Sequence, residues 1–122
     1  MIDSIDHVVL TVSDINASCE FLRRALLADV IVFAAGRKAI RFGDQKINLQ
    51  TFGQELRNNA AIGSGDLCLI SSWPMEKIIE HLKAEEIEIL EGPAQKSGAK
   101  GPITSVYFND LDRNLIEVSV YA

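Results

Sequence analysis

One order of hydrophobic patterns occurs twice in this chain, and that repeat limits the fold more than any single residue does. From Ile5, the run IDHVVLTV is rich in β-branched residues and alternates as a half-buried strand does. It breaks at Ser13-Asp14, either of which can cap a following helix. In INASCEFLRRALL, Ile15, Cys19, Leu22 and Leu26 then recur at helical spacing. Three β-prone runs follow, DVIVFAA, RKAIRFG and QKINLQTF, separated by short connections at Gly36 and Gly43-Asp44. The order is β-α-β-β-β.

Residues 53–64, GQELRNNAAIGS, keep no steady period and read as a linker near the middle of the chain. The pattern then restarts. GDLCLIS is a strand, and SWPMEKIIEHLKAEE is a helix with Ser72 as a candidate cap and a stripe of Met75, Ile78, Ile79 and Leu82. A strand near IEIL, a loop GPAQKSGAKGP and strands at ITSVYFN and NLIEVSVY complete a second β-α-β-β-β. Asp6–Leu10 can be laid over Gly65–Leu69, and Ile47-Asn48-Leu49 over Ile116-Glu117-Val118. The expectation is one α+β domain over 1–122, with module one at about 1–56 and module two at about 64–122.

Seventeen acids against twelve Lys and Arg give a net charge of -5, and no basic cluster exceeds Arg23-Arg24. A phosphate backbone or an anionic bilayer needs a concentrated positive surface, so neither nucleic acid nor membrane is an expected partner. The N-terminal residues lack the basic and long apolar regions of a signal peptide, and two cysteines, Cys19 and Cys68, cannot build a disulfide framework. A cytoplasmic protein with both thiols reduced and packed is expected.

Alternate strand residues face opposite ways. Val8, Leu10 and Val12 form one aliphatic face, as do Leu67 with Leu69, Ile47 with Leu49, and Ile116 with Val118 and Val120. The opposite faces carry His7, Val9 and Thr11; Asp66, Cys68 and Ile70; Asn48 and Gln50; and Glu117, Ser119 and Tyr121. A sheet with one side in water would carry such residues without further consequence. If instead the sheets curl around a cleft, His7, Asp66, Asn48 and Glu117 converge, and two unpaired carboxylates in such a place favour a divalent cation. One imidazole, two carboxylates and an amide make a hard, oxygen-rich set suited to Mn, Mg or Fe(II) rather than structural zinc.

The segments IDHVVLTVSDI, FGDQKINLQ, GDLCLIS and GPITSVYFNDLDRNLIEV together resemble the vicinal oxygen chelate superfamily, the group of glyoxalases, bleomycin- and fosfomycin-resistance proteins and extradiol dioxygenases. The resemblance implies paired βαβββ modules whose curved sheets enclose a cleft, commonly completed by a homodimer. It also implies one divalent cation per protomer, whether Mn, Ni, Mg, Fe, Co or Zn. By the same pattern His7 and Glu117 match metal ligands, while Asp66 stands where histidine is usual and Asn48 where glyoxalases often carry glutamate. Gln50, Lys100 and Tyr121 are candidate substrate contacts. Asp110-Leu111-Asp112-Arg113-Asn114 replaces the family's Asp-Pro-Asp-Gly-Asn turn, with Asp and Asn side chains left to satisfy it.

The resemblance implies a metal-dependent lyase or isomerase acting on a small oxygenated substrate, with Glu117 as ligand and candidate base. The altered ligand set keeps a non-catalytic binding or resistance protein as the alternative. An Fe(II)-dependent ring-cleaving dioxygenase is less favoured, because a second histidine is missing.

Overall fold

The computed structural model describes residues 1–122. Strand β1 (His7–Thr11) leads into helix α1 (Ile15–Leu26), then β2 (Asp29–Phe33), β3 (Arg37–Phe42) and β4 (Gln45–Gln50). The pattern repeats as β5 (Asp66–Ile70), α2 (Met75–Ala84), β6 (Glu91–Gly98), β7 (Gly101–Asn109) and β8 (Leu115–Tyr121). The chain divides into two compact units, Met1–Ser64 and Gly65–Ala122, each a βαβββ module. No helix is long and apolar enough to cross a membrane.

In the first unit the strands run β1-β4-β3-β2, with β1 parallel to β4 and the rest antiparallel. Asp14 starts α1: its backbone is extended and its carboxylate accepts the Ala17 N–H at 3.0 Å. The helix ends at Leu27, a left-handed residue with φ of 53° and no glycine to ease it. Cys19, Phe21, Leu22 and Ala25 are buried on one side of α1, which packs against β2, β3 and β4. Lys38 marks the sheet face that meets the helix, since its Nζ reaches Asn16 Oδ1 at 2.5 Å. Ile40 shares that face of β3 by alternation and is fully buried, and its β4 partner Ile47 is only 1% exposed.

The second unit has the same plan, β5-β8-β7-β6, with β5 parallel to β8. Val106, Phe108 and Ile116 are fully buried, and Ile78 and Leu82 of α2, which packs against β7, are buried with them. Burial of Phe108, Leu22 and their neighbours supplies each unit's core at roughly 1.5–3 kcal/mol per large side chain. Ser72 does not cap α2. Pro74 precedes the helix without a side-chain cap, and Ser71 Oγ accepts the Trp73 N–H instead.

Two expectations are corrected. The sheets do not curl around a cleft: each is an open four-stranded ladder with free edge strands, neither closed nor strongly curled. Curling needs bulges or shear, and the one register shift lies between Glu91 and Ala94 in the second sheet. Of the polar residues at a common phase, the basis of the expected cleft, Glu117 and Gln50 are satisfied on the open sheets by their neighbours and Asp66 by exposure to water, while Asn48 Oδ1 is left without a partner.

The second correction is β6. The segment GPAQKSG is a strand rather than a loop, and IEIL is not one. Antiparallel pairing to β7 overrides its weak propensity, with Ala94 against Ser105 and Lys96 against Ile103. Tyr121 helps close this hairpin, its Oη accepting the Lys100 N–H at 3.0 Å. Gly98 lies beneath it, where a Cβ would meet that hydroxyl at 2.8 Å, Ile103 Cγ2 at 2.9 Å and the Gly101 carbonyl oxygen at 3.0 Å.

Candidate functional site

Strand register places the two halves in equivalent positions. In the first unit Val9 pairs with Asn48 and His7 lies two residues before Val9; in the second Cys68 pairs with Glu117 and Asp66 lies two residues before Cys68. His7 therefore shares a sheet face with Asn48, and Asp66 shares one with Glu117, in each case the face away from the helix.

The second unit builds the more developed cluster. Parallel pairing aligns Cys68 with Glu117 and Ile70 with Ser119, while antiparallel pairing aligns Tyr107 with Glu117 and Ser105 with Ser119. Glu117 Oε2 accepts hydrogen bonds from Ser105 Oγ at 2.6 Å and Ser119 Oγ at 3.1 Å. The two serine oxygens are 2.6 Å apart, and both residues are fully buried. Glu117 itself is half-buried. The carboxylate is thus fixed by uncharged donors, which orient it without neutralising its charge.

Cys68 and Tyr107 report that charge. Cys68 Sγ lies 3.3 Å from Ser119 Oγ. The residue as a whole is exposed, but its sulfur sits against this cluster. Loss of water around the thiolate, then the charge of Glu117 and a hydrogen bond to it, push the thiol above its ordinary value against the opposing pull of Ser119. Tyr107 is likewise raised, first by desolvation and then by its hydrogen bond to Glu117.

The sign of a Cys68 experiment follows. A raised pKa keeps the thiol protonated at neutral pH, so alkylation by iodoacetamide should reach half its limiting rate at a higher pH than an unperturbed cysteine. Glu117→Gln removes the charge that opposes the thiolate and should move that midpoint down. A midpoint unmoved in the variant would contradict the placement of Glu117 beside the sulfur.

The other sequence-derived residues divide by role. Gln50, 2% exposed, donates to Thr11 Oγ1 at 2.9 Å and to Asn58 Oδ1 at 3.1 Å, and accepts from Asn58 Nδ2 at 3.3 Å. Its amide is engaged in tying the segment after β4 to the sheet. His7 is exposed and its Nδ1 lies 2.7 Å from Asp6 Oδ1. Asp66 is exposed, so the expected pair of buried carboxylates is absent. Lys100 is exposed on the β6–β7 turn, its Nζ 5.3 Å from the Tyr121 ring. Asn48 is 4% exposed and its Oδ1 has no hydrogen-bond partner, a burial that costs about 1–3 kcal/mol.

These positions do not make a metal centre within either unit. His7 and Asn48 belong to one and Asp66 and Glu117 to the other, and no group of three His, Cys, Asp or Glu side chains is placed to hold an ion. Glu117 already has serine donors on one oxygen. Neither unit by itself holds a ligand set for the expected cation.

Sequence reasoning missed Ser105 and Tyr107 and treated Cys68 as packing. Alternation in ITSVYFN puts Ser105 and Tyr107 on one face, but only the β7–β8 register shows that they meet Ser119 and Glu117.

No family model matches the chain. Glyoxalase domain-containing protein RDO1 of Mycosarcoma maydis is 42% identical over 121 residues, 97% of this chain and 68% of that protein. The chain belongs to the vicinal oxygen chelate superfamily. Virulence protein STM3117 of Salmonella typhimurium is 44% identical over 124 residues, 99% of this chain and 86% of that protein. Its crystal structure superposes with a TM-score of 0.94, covering 100% of this chain and 99% of that one. An integron cassette protein from the mobile metagenome of V. cholerae, 43% identical, reaches 0.95 over 100% of this chain and 98% of its own. Metallothiol transferase FosB of Staphylococcus haemolyticus is a more remote superfamily relative, 30% identical over 97% of this chain and 84% of that protein.

Proposed function

We propose that this vicinal oxygen chelate protein binds a small, oxygen-rich organic molecule on the helix-free face of the Gly65–Ala122 unit and holds it without turnover. The observation that supports this reading is the half-buried Glu117 carboxylate, fixed by Ser105 and Ser119 but not ion-paired to them. Such a group accepts a hydroxyl or ammonium hydrogen strongly, because its orientation is set before the ligand arrives. Cys68 and Tyr107, both kept protonated, flank it as further polar contacts rather than as nucleophile or base.

Chelator-treated protein screened by thermal shift against small polyols and amino alcohols tests the reading. Binding to the folded state raises the midpoint by mass action, so at least one class should stabilise the metal-free protein. If stabilisation appears only after a divalent ion is added, the metal-free reading fails. The metallothiol transferase relative supports that second reading, a metal-dependent enzyme acting on a small molecule.

The modest core of a chain this size supports a homodimer in solution. Native mass spectrometry at micromolar protein should show twice 13.4 kDa. A monomer independent of concentration would contradict it.

A further inference from the structure

Buried polar atoms without partners are rare in folded proteins, and each asks for an explanation. Three occur here, Ser18 Oγ, Arg37 Nε and Asn48 Oδ1. Two of them, Arg37 Nε and Asn48 Oδ1, lie on the helix-free face of the first sheet. Ala39 pairs with Asn48, and Arg37 is two residues from Ala39 on the same face, so the two are diagonal neighbours on adjacent strands, roughly 7–8 Å apart at the backbone. One is an unused donor and the other an unused acceptor.

Their surroundings are cationic within an acidic chain. Arg37, Arg41 and Lys46 share this face, against Asp29, which lies 3.9 Å from Arg41, and Glu55, which takes Arg37 Nη2 at 3.2 Å. Lys46 Nζ sits 3.4 Å from the centre of the Phe33 ring, and the Arg37 guanidinium stacks on the same ring at 5.4 Å. To reach Phe33 on β2 from β4, the Lys46 side chain crosses β3 at the level of Ala39, beside Asn48. Its ammonium is held there by a cation–π contact that an oxyanion can replace.

We infer that this face of the first unit is a recognition site for a small hydroxy acid of three or four carbons, its carboxylate taken by Arg37 Nε and Lys46 and its hydroxyl donated to Asn48 Oδ1. The two unused atoms require opposite hydrogen-bond partners, and a hydroxy acid carries both in one molecule. Neither a simple carboxylate nor a diol does. The site lies in Met1–Ser64 and does not depend on Glu117.

The test is titration of the full-length protein with lactate and 3-hydroxybutyrate by NMR, observing the Arg37 Nε–Hε and Asn48 side-chain resonances. Propionate and butyrate serve as controls lacking the hydroxyl, and 1,3-butanediol as the control lacking the oxyanion. At least one hydroxy acid should shift both resonances and bind about fivefold more tightly than its deoxy partner, the value of one neutral hydrogen bond. Asn48→Leu should bring that ratio to one while Glu117→Gln leaves it unchanged. Equal affinity for hydroxy and deoxy acids, or no shift at Arg37 and Asn48 with either hydroxy acid, would overturn the inference. The wild-type titration decides it even if Asn48→Leu fails to fold.

Discussion

Asp110→Ala should lower the stability of the second unit by about 3 kcal/mol, because three hydrogen bonds converge on one buried carboxylate. Asp110 Oδ1 accepts the backbone N–H groups of Asp112 and Asn114 at 2.9 and 2.8 Å, and Oδ2 accepts Asn114 Nδ2 at 2.8 Å. Asn114, fully buried, passes the constraint on by accepting the Gly65 N–H at 2.7 Å, which fixes the entrance to β5 beside the start of β8. Removing the carboxylate strands donors in a place with little water. Asp110→Asn keeps one good acceptor and should lose about half as much. Denaturant midpoints at unchanged slope measure both effects; a loss below about 1 kcal/mol for the alanine variant would show that the turn is not held in this way.

This turn shows how much the residues alone convey. Side-chain closure was expected from Asp110 and Asn114, and the structure supplies it with Arg113 taking the left-handed conformation, φ of 68°, that a glycine would ease. Alternating apolar residues likewise specify β1, β4, β5 and β8 and their inward faces. The segment GPAQKSG does not advertise a strand, because its pairing to β7 comes from the hairpin and not from its own side chains. The open course of the sheets, neither closed nor strongly curled, was equally illegible: curvature resides in ladder register, while polar residues at one phase are compatible with either shape.

The candidate site divides in the same manner. Glu117 stands out as a charge between Ile116 and Val118. Its serine partners do not, since Ser105 and Ser119 are 14 residues apart and only the β7–β8 ladder brings their oxygens within 2.6 Å. Asn48 was readable as a polar residue in an apolar strand, but its unmatched oxygen and the unmatched Nε of Arg37 are properties of packing. The four residues expected to share a cation were chosen by phase, and they divide between the two units, His7 and Asn48 in one and Asp66 and Glu117 in the other.

The second large effect concerns ligand affinity. A ligand hydroxyl or ammonium bonded to a fixed carboxylate is worth about 1.5–3 kcal/mol, so Glu117→Gln should weaken binding by roughly 10- to 100-fold. The amide is nearly the same size and can still accept from Ser105 and Ser119, so the fold should survive with a similar melting temperature. Loss of stability equal to loss of binding would instead assign Glu117 to the scaffold.

The most direct measurement is therefore a calorimetric comparison of wild type and Glu117→Gln, both stripped with chelator, titrated with the compound that most stabilises the wild type in the thermal-shift screen. The predicted result is saturable binding to metal-free wild type, weakened at least tenfold by Glu117→Gln. Equal binding by the two proteins, or binding by wild type only after a divalent ion is restored, would contradict the account.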